Sequence, residues 1–217
     1  MIRFLQKRAA RLERIAAEIR KIEQLEAGSV YTMAFLGIHS DEWRAEATLT
    51  AQALPEYSGR FGLTRMAFGP AGNAGLLPNG NWSHRAFFGM VNGAQVRMAL
   101  RLATHARARG IRLHLVAHSN GVNAAAEFIR RFAGAVENTV VIAPNTRSAT
   151  TLQELAARVP AFTVLTSDFD ERLKMAWLGH RPATYWKSAL PGHVVESQQT
   201  GHGAQCYLLA MPSRTAR

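Results

Sequence analysis

After Gly28 the chain alternates two hydrophobic periods, and that alternation constrains the fold more than any other feature. Runs with little polar interruption, "SVYTMAFLGI" (29–38), "IRLHLVAH" (111–118), "NTVVIAP" (138–144) and "AFTVLTS" (161–167), are separated by stretches of helical spacing. A strand with one wet face alternates apolar and polar residues, whereas a run that stays apolar is buried on both faces. Strand followed by helix followed by strand also supplies the long crossovers that parallel pairing needs. The expectation is an α/β domain with a mainly parallel central sheet and helices on both faces.

The other segments fit around this frame. "DEWRAEATLTAQAL" (41–54) reads as a helix opened by acidic residues and "LTRMAFGP" (63–70) as a strand ended by Gly-Pro. "AGNAGLLPNGNWSH" (71–84) reads as a loop, followed by a helix from about Arg85 to Arg109 that Gly110 closes. "GVNAAAEFIRRFA" and "TLQELAARV" are helices, "HVVESQQ" (193–199) is a last strand, and "GHGAQCYLLAM" (201–211) is a closing helix. Ahead of the domain, residues 1–28 form an amphipathic helix in which Leu5, Leu12, Ile15, Ile19 and Ile22 fall on one face. The organisation expected is therefore a helix over 1–28 and a single domain over 29–217. The apolar stripe is read as packing on its own protein. Homodimer formation through it and contact with a membrane surface are the alternatives.

Composition narrows the function classes. At 217 residues and 47% hydrophobic, the chain suits one well-buried core. Cys206 is the lone cysteine, so no internal disulfide forms, and no Cys/His cluster has zinc-like spacing, so no metal or cofactor is expected. There is no signal-type apolar segment and no membrane-length apolar window, and four glutamates in residues 1–28 argue against a transit peptide. A cytoplasmic location is the expectation. The formal net charge of +11 allows weak contact with anionic surfaces. Its arginines are scattered without a basic run or interleaved aromatics, so no nucleic-acid partner is expected.

In open parallel sheets, chemistry collects at the carboxyl ends of strands. Ser119 stands where the strand 111–118 hands over to a helix, within "AHSNG", with small residues at Ala117 and Gly121. A serine there must turn sharply, and small neighbours two positions either side let strand and helix approach closely. The hydroxyl is thereby presented at the positive end of the helix. After the strand 161–167 come Asp168 and Asp170, either of which could orient an imidazole, the other being a solvated or helix-capping aspartate. His202 lies between two glycines in "QQTGHGAQ", just past the last strand. His180, His193 and His118 are less well placed: His180 is in a mixed segment, His193 at the wrong end of a strand, and His118 before the serine.

These residues resemble the nucleophile elbow and triad of the α/β-hydrolase superfamily, in particular its small serine esterase and lipase-like members with a minimal cap. The elbow pattern Gly-x-Ser-x-Gly is here "AHSNG", with Ala117 in place of the first glycine. The resemblance covers nearly everything after Gly28 and implies a chain order of nucleophile, acid, histidine: Ser119, Asp170 with Asp168 as the alternative acid, and His202 as general base. It favours Asp170, shortly before Leu173. One oxyanion donor is expected from the Asn120 amide; the resemblance implies a second from "FLGIHS", the Ile38 amide or alternatively that of His39. Leu36 stands where the family usually has histidine. The implied activity is cleavage of carboxylic esters of a small-molecule acyl substrate through an acyl-serine. Trp82, Trp177 and Trp186, with Tyr185, are candidates for an apolar substrate pocket or for core cover. Thioesterase, acyltransferase or peptidase chemistry on the same triad, and a basic binding protein without chemistry, are the alternatives.

Overall fold

The computed structural model describes residues 2–37, 74–77, 91–146, 148–170 and 181–196; for 2–11, 14 and 74–76 the description covers the backbone alone. Helix α1 (Ile2–Glu23) leads into β1 (Val30–Phe35). Then come β2 (Ala74–Leu77), α2 (Gly93–Ala108), β3 (Arg112–His118), α3 (Gly121–Arg131) and β4 (Asn138–Ile142). Helix α4 (Ala149–Arg158), β5 (Ala161–Thr166), α5 (Ala183–Ala189) and β6 (Val194–Glu196) complete the described elements. The strands form one six-stranded sheet in the order β2-β1-β3-β4-β5-β6, with every pair parallel. The protein is of the α/β class.

Register explains why the strand runs are apolar throughout. Phe35, Ala117, Val141 and Val164 are aligned across β1, β3, β4 and β5 and share a buried cluster with residues of all five described helices. The alternate residues Ala34, Val116, Val140, Ile142 and Leu165 point to the opposite face and are buried as well. The described helices thus pack on one face; the helices expected at 41–54 and 201–211, and the strand at 63–70, lie outside the described residues.

Two sequence expectations are corrected. Residues 74–77, read as part of a loop, form β2, hydrogen-bonded along β1 from Thr32 to Phe35. A four-residue edge strand takes its definition from the neighbouring ladder, which outweighs the Gly and Asn content of its surroundings. The helix expected from about Arg85 is interrupted at 91–92, and α2 starts at Gly93, where the Asn92 side chain caps it by accepting from the amides of Ala94 (3.0 Å) and Gln95 (3.4 Å); residues 85–90 lie outside the described residues.

Helix α1 is held to the body by more than its stripe. Ile15 and Ile22 are buried in the common core and Ile19 packs against it, while Leu12 is 50% exposed. The buried Glu18 carboxylate accepts hydrogen bonds from Tyr31 Oη (3.0 Å) and Lys21 Nζ (2.7 Å), which offsets the cost of burying its charge. Burial, with Glu18 beside it, pushes the Tyr31 phenol well above its usual range, so it stays a donor. Among the described residues no helix is long and apolar enough to cross a membrane.

A second buried titratable group sits at the amino end of the sheet. His114 is buried on β3, its Nε2 3.6 Å from Glu137, which also binds Arg112 at 3.1 Å. Burial pulls the imidazole below its ordinary value of 6.5, opposed by Glu137 and aided by Arg112. Below that ordinary value the unfolded chain binds a proton that the folded chain resists. The stability this residue contributes is therefore present above about pH 6.5 and lost as pH falls through the folded value. Urea unfolding at pH 7.5 and pH 5 is expected to show a smaller loss on acidification in His114→Gln than in the parent; equal losses would contradict this.

Candidate active site at the carboxyl ends of the sheet

The strand order has a switch point: from β1 the chain moves outward to β2, and from β3 it moves the other way to β4. Carboxyl ends at such a point splay their connections apart and leave a crevice. Ser119 occupies the end of β3 there and Gly37 comes just after the end of β1.

The backbone at Ser119 is strained. Its φ is +53°, and among the described residues the one other non-glycine with positive φ is Ala143, at +46°, just past the end of the adjacent β4. L-residues reach this region at a cost of about 1–2 kcal/mol, so packing must hold them. The Ser119 amide continues the ladder to the Ile142 carbonyl (2.9 Å), its carbonyl accepts from the Val122 and Asn145 amides (both 3.3 Å), and the Ala143 amide bonds the Leu165 carbonyl (2.8 Å). Glycine is demanded two residues on: a Cβ at Gly121 would lie 2.2 Å from the Phe35 carbonyl oxygen and 2.9 Å from that of Leu36. Helix α3 thus begins pressed against the end of β1. Gly37 meets the elbow from the other side, since a Cβ there would lie 2.9 Å from the Ser119 Cβ and 3.3 Å from His118 Nδ1.

A buried amide network fixes the turn. Asn123 Nδ2 donates to Asn120 Oδ1 (2.9 Å) and to the Asn145 carbonyl (3.0 Å), which ties α3 to the segment after β4. Asn120 makes no side-chain cap to α3. Gln95, on the first turn of α2, donates to the carbonyls of Leu36 (3.1 Å) and Leu77 (2.6 Å). Neither Asn123 nor Gln95 was singled out from the sequence. The available signal was a lone amide side chain on an otherwise apolar helix face.

The two aspartates after β5 separate clearly. Asp168 Oδ1 accepts from the Ala183 amide at 2.6 Å and so closes the start of α5, the helix-capping alternative. Asp170 is completely buried, an environment in which a carboxylate must be partnered. Between them Phe169 is 44% exposed, its amide bonded to Ser167 Oγ at 3.1 Å. Ser119 follows β3 and Asp170 follows β5, with β4 between the two strands.

Of the two readings of Trp186, core cover matches its burial: it is 1% exposed and belongs to the core cluster, with its ring edge-on to Tyr185 at 5.0 Å. A large aromatic on α5 covers the sheet because that helix has few other apolar residues to bury. His193 places Nδ1 3.0 Å from the Phe162 carbonyl and packs on that ring. His202, Ile38, His39, His180, Trp82 and Trp177 lie outside the described residues. Among the described residues, no group of three or more His, Cys, Asp or Glu could hold a metal ion. A cleft of about 400 Å³ lined by Arg107, Arg112, Phe132 and Glu137 opens at the amino ends of the strands, away from Ser119.

The site so defined belongs to an α/β protein with a strained serine at a topological switch point. No protein-family model matches the chain, and no curated protein matches it.

Proposed function

We propose that the chain is a serine hydrolase of the α/β-hydrolase type that cleaves carboxylic esters through an acyl-serine. The observation that carries this reading is the elbow itself: Ser119 held at φ +53° between a parallel strand and a helix whose first residue admits no side chain. Strain of that kind persists at sites where it serves a task, and a serine presented on a strand-to-helix turn is the arrangement that nucleophilic acyl transfer uses.

In the proposed mechanism His202 accepts the Ser119 Oγ proton as Oγ attacks the acyl carbon, and returns it to the leaving alkoxide as the tetrahedral intermediate collapses. Asp170 holds the imidazole tautomer and stabilises its cation. Water, deprotonated by the same imidazole, then attacks the acyl-serine and releases the acid. The Asn120 amide and the Ile38 or His39 amide stabilise the oxyanion. Phe169, exposed beside the acid, offers apolar surface to the acyl group. The reading carries a cytoplasmic location with it, and no metal or cofactor takes part.

Turnover of p-nitrophenyl acetate tests the activity: the reading expects a burst of p-nitrophenol close to one equivalent per protein, followed by steady release. Rates indistinguishable from the heat-unfolded protein, for this ester and for an acyl thioester, would overturn it; thioester turnover alone would move the reading to a thioesterase. The acid is assigned by a pair of variants. Asp170→Asn is expected to lower kcat by about 10³- to 10⁴-fold, since the amide favours the wrong imidazole tautomer. Asp168→Asn is expected to change kcat less than about tenfold and to cost about 1 kcal/mol of stability as a weakened cap. Equal mild effects would contradict the assignment.

A further inference from the structure

We propose that Gln95 is a positioning residue for this site, orienting the peptide between Leu36 and Gly37 against Ser119; the proposal rests on the acyl-transfer reading above. Gln95 is 2% exposed, and burying a primary amide is costly unless its groups are bonded. Its Nε2 spends both protons on main-chain acceptors, the Leu36 carbonyl at 3.1 Å and the Leu77 carbonyl at 2.6 Å. Because both neighbours are acceptors, the orientation of the amide is fixed chemically. The Leu36 amide makes the last rung between β1 and β2, to the Leu77 carbonyl at 3.0 Å. Among the described residues, the donor that the Leu36 carbonyl meets beyond that rung is Gln95.

Fixing that carbonyl also fixes the next amide. A trans peptide is planar, so holding the Leu36 carbonyl toward α2 turns the Gly37 N–H the opposite way. A Cβ at Gly37 would lie 2.9 Å from the Ser119 Cβ, and one at Gly121 would lie 2.9 Å from the same Leu36 oxygen. The Asn92 cap sets the first turn of α2 and with it the Gln95 backbone. Gln95 thus fixes the Leu36–Gly37 peptide, the last described peptide before the residues from which the second oxyanion donor is proposed to come.

A stabilising role explains this residue poorly. Among the described residues its buried Oε1 has no hydrogen-bond partner, a loss of about 1–3 kcal/mol that cancels much of what the two donated bonds contribute. An apolar side chain of the same length would remove that orphan but leave the Leu36 carbonyl without the Gln95 donor, so the two costs largely offset. What the donors add is the direction of the main chain at Leu36.

The test compares Gln95→Met, which keeps length and loses the donors, with Gln95→Glu. The readouts are the second-order rate of fluorophosphonate labelling per reactive serine, kcat and KM for p-nitrophenyl acetate, and the urea midpoint. Gln95→Met is expected to label at least tenfold more slowly per reactive site and to lose kcat by a similar factor. KM is expected to stay within twofold and the urea midpoint to remain close to that of the parent. In Gln95→Glu the ionised carboxylate faces two carbonyls, while the protonated acid regains one donor. Its labelling rate relative to the parent is expected to rise as pH falls, and the Gln95→Met ratio to stay flat. Gln95→Met labelling at the parent's per-site rate overturns the proposal and leaves the Ser119 reading standing. A parent protein that does not label overturns both. Should Gln95→Met not fold, a pH-independent Gln95→Glu ratio overturns the proposal by itself.

Discussion

Ser119→Ala is expected to lower ester turnover by at least about 10⁴-fold while the protein stays folded. In triads of this kind, removing the nucleophile leaves only binding and oxyanion stabilisation to act on attacking water. The fold should survive because the strain at φ +53° belongs to the backbone, and alanine experiences it as serine does. Ser119→Gly separates the two effects. It should be equally inactive, yet more stable than Ser119→Ala by about 1 kcal/mol, since glycine enters the left-handed region without the Cβ conflict. Urea unfolding of the pair measures this. Equal midpoints would mean that the elbow is not strained, and residual turnover in Ser119→Ala would place the chemistry elsewhere.

The second large effect is structural. Gly121→Ala puts a Cβ 2.2 Å from the Phe35 carbonyl oxygen and 2.7 Å from its carbon. Those atoms belong to β1, flanked by a strand on either side, and cannot retreat without breaking its ladders. Overpacking of well-fitted cores typically costs about 1–3 kcal/mol, and here the obstacle is backbone, so a loss of about 3 kcal/mol or more is expected. The gain of up to about 1 kcal/mol in helix propensity from alanine does not offset it. Gly93→Ala is the matched control, also at a helix start. Among the described residues its Cβ meets only the end of the Arg97 side chain, at 3.3 Å, and stability is expected to change by less than about 1 kcal/mol. Similar midpoints for the two variants would contradict the close approach of α3 to β1.

What could be read from the sequence was what the sequence encodes locally. The step from β3 through Ser119 to α3 is written in adjacent residues: an apolar run, a serine flanked by small residues, then an alanine-rich helix. β1, β4 and β5 were legible because two-sided burial leaves a run of residues with few polar breaks. Other features depend on partners far along the chain. β2 exists through its ladder with β1, and its own "AGLL" carries little strand signal. The start of α2 turned on whether Asn92 caps a helix or sits inside one, which "NG" leaves open. Asp168 and Asp170 are separated by an amide at Ala183, fifteen residues on. Trp186 could equally line a pocket or fill the core until α5 is placed. Gln95 and Asn123 act on carbonyls of other elements, and nothing beside them in the sequence announces it.

The central claim is that Ser119 is an activated nucleophile, and the most direct measurement is fluorophosphonate labelling of the folded protein with subsequent peptide mapping. The account predicts one equivalent of adduct, on the peptide carrying Ser119, absent from Ser119→Ala and from heat-unfolded protein. A folded protein that takes up no label, or takes it up at another serine, would contradict it.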